Sequence, residues 1–114
     1  WLVSSIPDGK GSIVAFVDGP GNIPSVESAD ETCGRDRFAG LIIGIQELGI
    51  ITVILRPAYI WTDDYEVSEY YSTGYPLYVS RNARFSTNAT PGGQVARVVV
   101  APCPENPFML VGMD

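Results

Sequence analysis

Asp63, Asp64, Glu66 and Glu69 form the densest group of ionisable side chains in the chain. Carboxylates this close together run acid–base chemistry when a proton partner stands beside them, or hold Ca²⁺ when a Gly-punctuated loop wraps them. Neither companion is present, so the four read as a solvated acidic face. The chain has no histidine, which removes the commonest general base and the commonest neutral metal ligand. A Ser-His-Asp relay is therefore impossible, and no G-x-S-x-G elbow occurs. Lys10 is the only lysine, and nothing in the sequence places a serine beside it. Cys33 and Cys103 fit neither a zinc spacing nor a C-x-x-C redox motif. We read them as two buried thiols; a disulfide between them would instead close a long loop and stabilise by a few kcal/mol. "DGPGNIPS" carries glycines but leads into no Lys-Ser/Thr helix, so it reads as a turn and not as a phosphate cradle. Asn88-Ala89-Thr90 matches the glycosylation acceptor, but a proline follows it at once. The expectation is a protein without catalytic residues, metal or cofactor, and not an enzyme.

The aromatic residues are more informative. Tyr59, Trp61, Tyr65, Tyr70, Tyr71 and Tyr75 crowd one stretch, interleaved with the carboxylates. Tyr and Trp supply large amphipathic contact area at low entropy cost and concentrate at protein interfaces. Tyr59, Trp61, Tyr65, Tyr70 and Tyr71 are therefore expected at a subunit interface, with packing as a lid on their own core as the alternative. At the N-terminus, Trp1, Leu2, Val3 and Ile6 precede the first clear strand. A free apolar terminus is costly, so these residues are expected to pack on a neighbour or fold back on their own domain.

The elements that position these residues are strands. The 114 residues suit one domain, rich in Val, Ile, Gly and Pro and poor in helix formers. The formal net charge of −6 argues against phosphate-tracking surfaces and anionic membranes, so neither nucleic acid nor membrane is an expected partner. "GSIVAFVDG" is a short strand run ended by a turn signal, and Asn22 to Arg37 reads as a polar loop. "FAGLIIGIQ" and "GIITVILR" are apolar runs of strand length joined by a tight reversal, the first suited to burial on both faces; a helix over "AGLIIGIQEL" is the alternative, against which its glycines and isoleucines count. "AYIWTDDYEVSEYY" reads as one or two helical turns or an exposed excursion. "PLYVSRNARFST" is a hairpin whose turn is assigned to Arg81-Asn82-Ala83, because Asn tolerates a left-handed backbone. "QVARVVVA" and "FMLVGM" supply the last strands.

The order of parts from Gly11 to Arg56 returns from Gly74 to Met113: strand, loop, apolar strand, short link, apolar strand. The two stretches are each about 40–46 residues long, in the range where internal repeats are sought. Residue identity between them is low. A structural duplication competes with the ordinary self-similarity of any domain built from hairpins.

The run "GSIVAF…FAGLIIGI…ITVIL…GYPLYVSRNARFSTN…QVARVVVA…FMLVG" resembles the head decoration, or capsid cement, proteins of tailed bacteriophages. That family shows a Gly-x-Pro-Leu/Val-Tyr-x-Ser segment, a short turn and a Phe-Ser/Thr-Thr return; "GYPLYVSRNARFST" and "GGQVARVVV" match it. The resemblance spans about Gly11 to Gly112, and Tyr59 to Tyr71 is not part of the pattern. It implies an all-β, small single-domain barrel or β-tulip-like sandwich of short antiparallel strands with little helix. Residues 1–10 would form an N-terminal arm and residues 11–114 the decoration domain. It further implies a homotrimer on the outer capsid surface of the virion, assembled in the host cytoplasm, with the major capsid protein as partner. Trp1, Leu2, Val3 and Ile6 would then be the capsid-contacting arm. The alternative is a β-barrel ligand-binding module of a phage tail or baseplate.

Overall fold

A computed structural model describes residues 2–3, 10–17, 25–45 and 51–113. Among them there is no helix. The strands are β1 (Leu2–Val3), β2 (Ile13–Val17), β3 (Ser25–Ser28), β4 (Phe38–Ile45), β5 (Ile51–Leu55), β6 (Ala58–Thr62), β7 (Pro76–Val79), β8 (Phe85–Ser86), β9 (Ala96–Val100) and β10 (Met109–Met113). They form two five-stranded sheets, ordered β1-β3-β2-β4-β5 and β6-β10-β9-β7-β8. All pairings between these strands are antiparallel except β1 on β3. The chain is a small all-β domain, as its composition and strand patterning predict.

The strand alternation decides which side chains meet. Ile13 and Ala15 of β2, Leu41 of β4 and Ile54 of β5 turn to one face of the first sheet. Leu77 and Val79 of β7, Ala96 and Val98 of β9, and Met109, Val111 and Met113 of β10 turn to one face of the second, and the two sets share one core. Phe38 and Phe85 bridge the sheets edge to face, with ring centroids 6.4 Å apart. Fully burying either ring contributes roughly 1.5–3 kcal/mol from area alone. The outer face of the first sheet carries a smaller cluster. Val14, Val26 and Ala39 are wholly buried there, with Phe16, Ile42 and Val53 packed on them. The run beginning at Phe38 is thus buried on both faces only in its first half, and Ile43 is exposed.

The repeat read in the sequence has a counterpart in the topology. Strands β2 to β5 lie side by side as β3-β2-β4-β5, and strands β7 to β10 lie as β8-β7-β9-β10. The correspondence extends one step further. β1 pairs in parallel with β3, through Leu2 opposite Ser25 and Val3 opposite Val26. In the second half, Tyr65 forms a parallel bridge to Phe85 of β8. Each half therefore lays an extended segment on the same edge of the same four-stranded unit, and β6 is added at the far edge of the second sheet.

Three local expectations change. Ser25–Ser28, expected as loop, is a strand because Val26 reaches the outer cluster while its backbone pairs with β2; the flanking serines and Glu27 hide the alternation. Ala58–Thr62, expected as helical turns or an excursion, is a strand. Ala58 and Ile60 pack on the core while Tyr59 and Trp61 face outward, a period of two. In the hairpin turn the left-handed residue is Ala83 (φ 58°), not Asn82. The Ser80 hydroxyl accepts from the Asn82 and Arg84 amides, and Ala83 is sealed in the core. The reversal expected at Glu47-Leu48 lies outside the described residues, although β4 and β5 pair antiparallel as it requires.

Candidate functional site

The acidic segment is a strap across the hairpin and not a solvated face. Phe85 donates its amide to the Asp64 carbonyl (3.2 Å), and the Glu66 amide donates to the Phe85 carbonyl (2.9 Å). This pairing covers the edge of β8, which would otherwise present free backbone groups. Three carboxylates then fasten the strap. Asp64 accepts from the amide and hydroxyl of Ser12 and forms a 3.2 Å ion pair with Arg84. Glu66 accepts from the Ser80 hydroxyl (3.0 Å) and the Asn82 side-chain amide (3.1 Å). Glu69 accepts from the Ser86 hydroxyl (2.8 Å), the Thr87 amide (2.6 Å) and hydroxyl (2.9 Å), and the Asn88 side-chain amide (3.0 Å). Only Asp63 of the four is exposed. The signal that would have found this is the complement of donors in the hairpin: Ser80, Asn82, Ser86, Thr87 and Asn88 stand opposite the carboxylates.

The aromatic residues divide between two places. Tyr59 and Trp61 lie on the outer face of the second sheet, 64% and 49% exposed. The Tyr59 ring lies against Gly112, where a side chain would meet its edge at 2.9 Å. Arg97 donates to the Tyr59 hydroxyl (3.0 Å), with its guanidinium carbon 5.7 Å from the ring centroid. Trp61 stands opposite Leu110, which is paired on its other side with exposed Val100. The result is a mixed aromatic and aliphatic patch on a rigid sheet.

Tyr65, Tyr70 and Tyr71 belong to the strap. Tyr71 is buried against the core, its hydroxyl donating to the Glu66 carbonyl (2.7 Å). Burial, and then the Glu69 and Glu66 carboxylates, push its ionisation well above the ordinary range. Tyr65 meets Tyr71 edge to face at 4.9 Å, and burial and Asp63 raise its ionisation too. Tyr70 is 74% exposed and meets Tyr75 edge to face at 6.1 Å. Between the strap and the β9–β10 loop runs an open groove of about 470 Å³, lined by Tyr65, Val67, Glu69 and Tyr70 on one side and Pro102 and Pro104 on the other.

Of the N-terminal residues, Leu2 and Val3 lie along β3 of their own chain, which is the fold-back alternative, while Trp1 and Ile6 lie outside the described residues. Lys10 donates to the Arg81 carbonyl and so sits at the hairpin turn. The two cysteines are both free, but only Cys33 is buried; Cys103 is exposed on the proline-rich loop, contrary to the expectation of two buried thiols. Burial pushes the Cys33 thiol up to about 11. Among the described residues no three acidic or sulfur side chains converge as a metal site.

No protein-family model, curated protein or solved structure matches this chain.

Proposed function

We propose that the chain is a structural attachment protein of the phage head-decoration kind, working as a homotrimer on the outer face of a capsid with the major capsid protein as its partner. The observation that carries this reading is the outer face of the second sheet. Tyr59 and Trp61 project from one edge strand beside Leu110 and Val100, with Arg97 among them. Exposed Trp and Tyr beside a half-buried Arg on a sheet are the residue types that dominate the energy of protein interfaces. β6 is also an edge strand, open to strand addition by a neighbour. A patch at one edge that meets a different surface of the next copy closes a ring when the rotation is a third of a turn. The strand-and-turn resemblance supports the same reading.

The test is sedimentation velocity on the full chain and on the Tyr59→Ala/Trp61→Ala double variant. The wild type sediments as a trimer and the variant as a folded monomer. On undecorated phage heads imaged by electron microscopy, removing residues 1–6 lowers occupancy while leaving the trimer intact. A wild-type monomer at micromolar concentration, or a variant that associates like the wild type, defeats the reading.

A further inference from the structure

The strap groove is built, rigid and charged. Its two walls are tied together by the Tyr65 hydroxyl, which donates to the Pro107 carbonyl at 2.6 Å. The second wall is stiff in its own right. Pro102 and Pro104 fix their φ angles, and Cys103 and Asn106 exchange both backbone hydrogen bonds at 2.9 and 3.0 Å. A groove of about 470 Å³ falls in the range of sites that hold a ligand, and this one needs no rearrangement to form.

Glu69 is the charged residue that lines the groove, and the two stretches that build its walls carry charge of one sign. From Pro57 to Ser80, and again from Val98 to Met113, there is no lysine or arginine, while Asp63, Asp64, Glu66, Glu69 and Glu105 all lie on these two stretches. Asp64 is offset by Arg84. Glu66 and Glu69 are held by neutral hydroxyl and amide donors alone, and among the described residues neither forms an ion pair. Neutral donors fix a carboxylate in place without cancelling its charge. They also occupy both oxygens of Glu69, the carboxylate that lines the groove, so the groove offers a partner negative potential and aromatic faces but few free directional side-chain acceptors. A neutral sugar needs many such acceptors and donors. A cation on an extended chain does not.

We propose that this groove receives an extended cationic segment of a protein partner, with an Arg or Lys over the Tyr70 ring and a proline or aliphatic side chain against Tyr65 and Pro102. A cation over a Tyr face is attracted by the ring quadrupole. Proline-containing segments dock in aromatic-lined grooves because their extended form is set before binding. The site uses different residues from the outer-face patch and stands whether or not the attachment reading holds.

The experiment is fluorescence anisotropy on the full chain with three labelled nonapeptides. The first is Arg-Pro-Leu-Pro-Arg-Pro-Leu-Pro-Arg, the second carries Glu in place of each Arg, and the third spaces three Arg with Gly and Ser. The first binds, more weakly as salt rises; the second does not bind; the third binds at least about tenfold more weakly. Tyr70→Ala and Val67→Arg each weaken the first peptide at least about tenfold, a change of 1.4 kcal/mol. Both positions are exposed, 74% and 86%, so the variants keep the fold, and amide NMR spectra check this. In those spectra the first peptide moves the amides of residues 65–71 and those of Cys103 and Glu105. The proposal is overturned if Tyr70→Ala leaves affinity unchanged, if the shifts centre on Tyr59 and Trp61, if the Glu peptide binds as well, or if none binds at millimolar concentration. Neutral oligosaccharides moving the same amides where the peptide does not would also overturn it.

Discussion

Both halves of the chain lay an extended segment in parallel on the outer edge of the same four-stranded unit, yet they fasten it differently. In the first half β1 meets β3 through two residues. In the second half the bridge at Tyr65 is shorter still, but Asp64, Glu66 and Glu69 reach out from it to donors spread from Ser12 to Asn88. Backbone pairing sets where each segment lies, and in the second half side-chain latches add to how firmly it is held. The latching also frees the second segment for a new use: once its carboxylates hold the strap, its tyrosines can face a groove.

Gly40 has φ +151°, and a Cβ there would overlap the Ile54 carbonyl oxygen, so β4 and β5 approach through bare backbone. Gly40→Ala is expected to cost at least about 3 kcal/mol in urea denaturation, the largest single effect proposed. A loss below 1 kcal/mol would mean that the sheet yields easily at this crossing.

Glu69→Ala strips four donors of their acceptor, among them the buried Ser86 hydroxyl, and is expected to cost about 2–3 kcal/mol. Removing residues 1–3 is expected to cost less than about 1 kcal/mol. Hydrogen exchange then speeds up at Glu66 and Thr87 in the Glu69 variant alone. Equal losses from the two changes would erase the distinction.

The smallest effect concerns a latch of purely local reach. Asp30 accepts from the Thr32 hydroxyl (2.5 Å) and amide (2.9 Å), which hold its carboxyl below the ordinary 3.8. Because the folded value lies below the unfolded one, Asp30 stabilises the fold above the unfolded value, and that contribution is lost as pH falls through the folded value. Thr32→Val removes the larger cause, so an NMR titration is expected to show the Asp30 value rising toward 3.8. An unchanged value would transfer the effect to the backbone donor.

Much of this architecture was legible in the chain. Apolar runs such as "ARVVV" and "MLVGM" read as strands because a two-residue period and flanking turn residues leave few other options. The duplicated order of parts was legible too, since it depends on the sequence of elements and not on residue identity. What escaped notice were elements whose place is set by what they pair with and is masked by polar neighbours. In Ser25–Ser28 the serines and Glu27 hide a strand that pairs with β2, and in Ala58–Thr62 the acidic run that follows hides a strand that pairs with β10. The acidic strap escaped for the same reason. A carboxylate beside other carboxylates looks solvated until the hairpin that supplies its donors, 14 to 19 residues later, is folded against it.

The T-shaped contact of Phe38 with Phe85 has a consequence for how small this molecule could be made. One ring comes from each half, in an interior that both halves line. Cut between Leu55 and Ala58, either fragment would carry a wet greasy face where its sibling had been. The repeats are two hands clasped, and the shortest chain able to stand in water alone is the pair.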